Sequence, residues 1–167
     1  MNKTEAFQYL DSQQDFLFHT SDSIWDNPET DYHEEKSSAI LKNALTEAGF
    51  TVQSGLTGIP TAFSGSYGSG KPVIGFLGEF DALSGLSQEA GITEKKPIAE
   101  GGNGHGCGHN LLGTGSLAAA IAVKKYLEAS GKPGTVIFFG CPAEEGGSGK
   151  AFMAKAGVFD GVDIALS

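Results

Sequence analysis

The spacing of hydrophobic and polar positions changes several times along the chain. Phe7, Leu10, Leu17, Phe18 and Ile24 recur at an imperfect helical interval with Gln14 among them, which predicts a helix over about residues 4–25. Asn27-Pro28 breaks the chain after it. Ile40, Leu41, Ala44 and Leu45 share one face of a second helix over about 33–48, with Gly49 suited to its C-terminal cap. Short strands are expected near 51–53 and 61–63, and the glycine- and serine-rich run 64–70 reads as a flexible turn. Val73-Ile74-Gly75-Phe76-Leu77 is an apolar run of the length of a buried strand.

A polar loop, rich in glycine and charge, extends from Ser84 to Gly106. From His109 to about Ala129 the chain is apolar nearly all round, with Leu111, Leu112, Leu117, Ile121, Val123 and Leu127, and predicts a helix buried on most faces. Gly131-Lys132-Pro133-Gly134 ends it, and Thr135-Val136-Ile137-Phe138-Phe139 predicts another buried strand. A short helix over 149–156 and a strand over 162–166 complete the pattern. The alternation predicts an α/β sandwich, a largely parallel, mixed sheet flanked by helices, with no internal repeat.

Composition narrows the function classes. Across 167 residues, 40% are hydrophobic and 19% charged, which fits a globular domain with a real core. The net charge of −9 disfavours nucleic acid or an anionic membrane as partner, and its ordinary meaning is solubility. The N-terminal Met1-Asn2-Lys3-Thr4-Glu5 is polar, and no apolar run is long enough to span a bilayer. Cys107 and Cys141 do not make the disulfide framework of a secreted mini-protein, so a reducing, cytoplasmic setting is expected.

Four segments carry candidate chemistry. Gly65-Ser66-Tyr67-Gly68-Ser69-Gly70-Lys71 fits the first seven positions of a phosphate-binding loop, but Pro72 stands where Ser or Thr must hold magnesium. A strand follows it in place of a helix, so a glycine-rich hairpin turn is the better reading. Gly104-His105-Gly106-Cys107-Gly108-His109-Asn110 sets a thiol and an imidazole two residues apart at a helix entrance. Both are ordinary metal ligands, although a cysteine near a histidine is as often only packed. Pro142-Ala143-Glu144-Glu145-Gly146-Gly147 follows a buried strand, where open α/β sheets place ligands. Its adjacent carboxylates repel unless a cation separates their roles, one ligating it and the other acting on bound water; the plainer reading is an acidic surface loop. In Gly78-Glu79-Phe80-Asp81-Ala82-Leu83, again after a strand, a carboxylate can orient a metal-bound group.

Taken together, these segments resemble the M20 metallopeptidase and amidohydrolase family. The likeness lies in its amidohydrolase branch and most in the aminobenzoyl-glutamate hydrolase group. It runs from Asn27-Pro28-Glu29, with Glu34 or Glu35, through Gly58-Ile59-Pro60-Thr61-Ala62-Phe63 and the segments above to Ser148-Gly149-Lys150. The resemblance implies a zinc-peptidase-like catalytic domain in which Cys107, His109 and Glu145 ligate metal. It implies Glu144 as general base, with Asp81 as its supporting carboxylate in catalysis. The cofactor would be divalent zinc or manganese, one or two ions in the complete enzyme. The substrate would be a small N-acyl amino acid amide or peptide, and the complete protein would form a homo-oligomer. Residues 1–167 would form the N-terminal part of that domain, without the family's later histidine ligands or its lid and dimerisation domain. Ser84 stands where a proline is usual and Asn110 where many relatives carry Asp. Two rivals are a truncated, non-catalytic fragment and a hydrolase using Cys107 as nucleophile, which would leave Glu144 and Glu145 without a task.

Overall fold

The computed structural model describes all residues 1–167. The N-terminal helical pattern resolves into two helices, α1 (Lys3–Ser12) and α2 (Gln14–Trp25), where one was expected. Gln13 leaves helical geometry at φ −98°, ψ 9° and divides them, which accounts for the imperfect spacing. Asn2 and Glu5 cap α1 reciprocally, satisfying amides that an isolated helix leaves bare. α3 (Glu35–Glu47), β1 (Thr51–Ser54), β2 (Phe63–Ser69) and β3 (Val73–Glu79) follow. After the polar loop come α4 (His109–Ser130), β4 (Gly134–Cys141), α5 (Glu144–Gly147), α6 (Gly149–Lys155) and β5 (Ile164–Leu166).

One five-stranded mixed sheet runs in the order β1-β2-β4-β3-β5. β1–β2 and β2–β4 pair antiparallel, whereas β3–β4 and β3–β5 pair parallel. In the parallel centre Glu79 of β3 lies opposite Cys141 of β4. Both strands therefore end at one edge, and the loops that leave them, 80–83 and 142–147, emerge side by side.

The segment expected as a flexible turn is strand β2, hydrogen-bonded on both sides. β4 lies between β2 and β3, so the two do not form a hairpin. Its glycines serve close approach: a Cβ on Gly65 would sit 2.9 Å from Leu45 Cδ1 of α3. α4 is also less enclosed than its composition suggests. Gly113, Leu117, Ala120, Ile121 and Lys124 make the buried stripe, while Leu111 is 67% exposed. Gly113 lies so close to β3 that a Cβ there would meet the Glu79 carbonyl at 2.4 Å. This contact fixes the start of α4 against the end of β3. The core between the helices and the sheet centres on Leu41, Leu45, Phe63, Leu117, Val136 and Phe138. Fully burying a side chain such as Phe138 contributes about 1.5–3 kcal/mol.

Candidate metal centre

His109 is the first residue of α4 and is 3% exposed. Gly108 precedes it in the left-handed region at φ 85°, a bend that glycine makes without steric cost. The turn brings Cys107 and His109 toward the same space. Asp81, in the loop after β3, accepts from His109 Nδ1 at 2.9 Å through Oδ1. Its other oxygen, Oδ2, accepts from the Glu145 N–H at 2.9 Å. Asp81 thus joins the helix entrance to the loop after β4. It also holds the imidazole so that Nε2 faces the carboxylates, the arrangement by which an outer carboxylate orients a metal-ligating histidine.

Around Nε2 stand Glu79 Oε2 at 3.0 Å, Glu145 Oε1 at 3.8 Å and Glu144 Oε2 at 3.9 Å. Cys107, His109 and Glu145 each offer a ligand atom within 4.8 Å of the others, and so do Glu79, His109 and Glu144. Because Nδ1 is engaged by Asp81, both groupings draw on the one Nε2, and an imidazole nitrogen binds one ion. Thiolate, imidazole and carboxylate are the donors a tetrahedral divalent ion takes, so the residues fit such a group. The loop after β4 reaches this geometry through strain. Ala143 and Ser148 flank α5 at φ 52° and 54°, and non-glycine residues held in that region cost on the order of 1–3 kcal/mol each.

The site's charges are strongly coupled. Burial by itself would lower the pKa of His109, but the bonds to Asp81 and Glu79 outweigh it and hold the imidazole up at about 10. Glu79 is correspondingly held down at about 2 by its bond to His109, then by the nearby Lys150 ammonium. The Cys107 thiol is pushed above its ordinary value by the Glu145 carboxylate beside it and by desolvation. A nucleophilic cysteine needs the opposite, a cationic neighbour that depresses its pKa. Here the His109 imidazolium does lower the thiol's pKa, but the Glu145 carboxylate and desolvation outweigh it and the net direction is upward.

The structure thus brings together all five residues singled out in the sequence, Asp81, Cys107, His109, Glu144 and Glu145. It adds Glu79 and Lys150, to which the sequence reading gave no role. A glutamate ending an otherwise apolar strand was the available signal for Glu79. Lys150 had none, since its partner is 71 residues away. Cys141 stays apart from the cluster, fully buried, with its thiol pushed up to about 12 by desolvation. His105 is buried behind the site, with Nε2 3.1 Å from the Ile24 carbonyl and its ring stacked on Trp25. His19 and His33 belong to neither donor grouping.

Comparison with known proteins shows the family and the fold of the chain. The chain is 60% identical over 147 residues to one of the subunits of p-aminobenzoyl-glutamate hydrolase from Escherichia coli, covering 88% of this chain and 31% of that protein. It is 32% identical to Xaa-Arg dipeptidase of mouse, covering 97% of this chain and 36% of that one. The chain thus spans about a third of the length of these curated relatives. Among solved structures, a dinuclear metal-binding M20 peptidase of Bacillus subtilis shares the fold. That structure has a TM-score of 0.72 and 22% identity, with 91% of this chain and 42% of that chain covered. Residues 75–166, which include every residue of the cluster, match Peptidase family M20/M25/M40, and the chain belongs to that family.

Proposed function

We propose that this chain forms the N-terminal part of a metal-dependent amidohydrolase domain, in which Cys107, His109 and Glu145 hold a divalent ion. The observation that carries the reading is the Asp81–His109 pair. It fixes the imidazole with Nε2 toward Glu144 and Glu145, at 3.9 and 3.8 Å. A divalent ion held there supplies Lewis acidity toward the scissile carbonyl and toward a bound water. Zinc suits the thiolate and manganese the carboxylates; of the two, the cysteine favours zinc.

Glu144 is the more solvent-facing of the two glutamates, its side chain 39% exposed against 22% for Glu145. It is the general base: its carboxylate takes the proton from the attacking water and returns it to the leaving amine. Asp81 keeps His109 oriented and ties Glu145 to it. The substrate class is a small amide of an N-acyl amino acid. Two relatives support this, one named for hydrolysis of p-aminobenzoyl-glutamate and one for dipeptides of the form Xaa-Arg. The first is named as one component of its hydrolase, which supports association with a further chain. No helix is long and apolar enough to cross a membrane, and we place the protein in the cytoplasm.

A second reading, binding without turnover, rests on the donor count. Each grouping shares the single His109 Nε2, so the chain offers a half-site where two ions would need more ligands. Hydrolysis of p-aminobenzoyl-glutamate by the metal-loaded chain separates the two readings. Glu144→Gln should retain the ion and lose turnover, whereas retained turnover with bound metal contradicts the base assignment. An inactive wild-type chain that binds metal supports the second reading.

A further inference from the structure

Two loops that carry several carboxylates need a third element to hold them in register, and residues 29–34 touch both. The Glu29 carbonyl accepts from the Ala82 N–H at 2.7 Å, next to Asp81. The Tyr32 hydroxyl donates to the Gly147 carbonyl. Asp31 Oδ1 fills the space at Gly146, where a Cβ would come within 2.3 Å of it. Glu34 is fully buried, and its Oε1 accepts from the Ala143 N–H and from the Tyr32 N–H, each at 3.0 Å. The segment is anchored to α3 by the Glu29 carboxylate, which accepts from the Lys36 and Ser37 amides at 3.0 and 2.9 Å.

Both sides of this contact are strained. Asp31 and Tyr32 adopt φ of 54° and 69°, facing the left-handed Ala143 and Ser148. Such residues persist only where their surroundings over-determine them. At Ala143 the determining group is a carboxyl oxygen 109 residues away in sequence.

We propose that Glu34 is a positioning residue for the metal centre. Its hydrogen bond to the Ala143 amide fixes the turn that brings Glu144 and Glu145 within 4 Å of His109 Nε2. This rests on the metal-site reading above. The task requires an acceptor at a set reach and does not require a charge. The second oxygen, Oε2, and the neighbouring Thr61 Oγ1 are both buried without another partner. Burial raises the pKa of the Glu34 carboxyl, against the opposing effect of the amide hydrogen bonds it accepts and of Thr61. A glutamine reproduces that arrangement, its carbonyl accepting from Ala143 and Tyr32 and its NH2 facing Thr61. An aspartate keeps the charge but is one methylene, about 1.5 Å, too short.

The test compares Glu34→Gln and Glu34→Asp in the 167-residue chain by two readouts. One is titration with cobalt(II) alone, followed by its ligand-field and thiolate charge-transfer absorption. The other is amide hydrogen exchange in the metal-free chain. Glu34→Gln should bind cobalt within about threefold of wild type and leave exchange unchanged. Glu34→Asp should bind roughly 10–100-fold more weakly, with faster exchange at Ala143 and Glu145 and unchanged protection in β4. Wild-type behaviour of both variants overturns the proposal. So does an impaired Gln beside an intact Asp, or loss of protection throughout the sheet in Glu34→Asp. If wild type binds no cobalt, the metal reading fails, and exchange at Ala143 still decides the role of Glu34.

Discussion

Loading the centre with zinc should expel two protons at pH 7.5, and the structure fixes that number. In the metal-free chain His109 sits between Asp81 and Glu79 as an imidazolium with a pKa of about 10. At pH 7.5 it is almost fully protonated, whereas an ordinary imidazole of pKa near 6.5 would carry only about a tenth of a proton. The Cys107 thiol, raised above its usual value, is protonated as well. Both groups must deprotonate to ligate, so binding releases about two protons per ion; an unperturbed histidine would give about one. At about 1.4 kcal/mol per unit, the rise from 6.5 to about 10 is worth at most about 5 kcal/mol. That is an upper bound, because the same ion pairs hold Glu79 down at about 2. The sign follows: protonation competes with the ion, so affinity strengthens as pH rises, by about two decades per pH unit below the pKa values of both groups. Calorimetric titration in buffers of differing ionisation enthalpy measures the release. Asp81→Asn, which removes one of the two carboxylates on the ring, should lower it. A wild-type release near one proton would refute the charged cage around His109.

Further outcomes can be checked without turnover. Gly140→Ala would place a Cβ 2.1–2.5 Å from ring atoms of the fully buried Phe63. It should destabilise the chain by about 1–3 kcal/mol in urea unfolding, and an unchanged midpoint would show that this ring yields freely. A thiol reagent should modify Cys107, which is exposed, and spare Cys141, buried and pushed to about 12. Zinc should protect Cys107; modification of two thiols in the native chain would contradict the burial of Cys141.

The segments 78–83 and 142–147 were legible because each follows an apolar run, and a strand's carboxyl end is where an α/β sheet exposes loops. Segment 104–110 was legible instead from a thiol and an imidazole two residues apart at a helix entrance. The parallel pairing of β3 and β4 then converts separation in sequence into adjacency. Asp81 and Glu145, 64 residues apart, meet because their strands end in register. The glycine- and serine-rich stretch misled for a physical reason. Glycine marks turns, but it also marks strands pressed against a helix, and only the position of Leu45 distinguishes the two cases at Gly65. Helix α4 was read as enclosed on most faces because composition does not reveal where neighbours are missing, as at Leu111. Glu34 and Lys150 were illegible as parts of the site, since their partners lie 109 and 71 residues away and no local pattern encodes such a contact.

The central claim is that Cys107, His109 and Glu145 share one ion. X-ray absorption at the zinc edge of the loaded chain reads the ligand shell directly. The expected shell holds one sulfur at about 2.3 Å with an imidazole nitrogen and oxygen ligands near 2.0–2.2 Å, and Cys107→Ser should lose the sulfur. A shell of nitrogen and oxygen alone in the wild-type chain would contradict the claim.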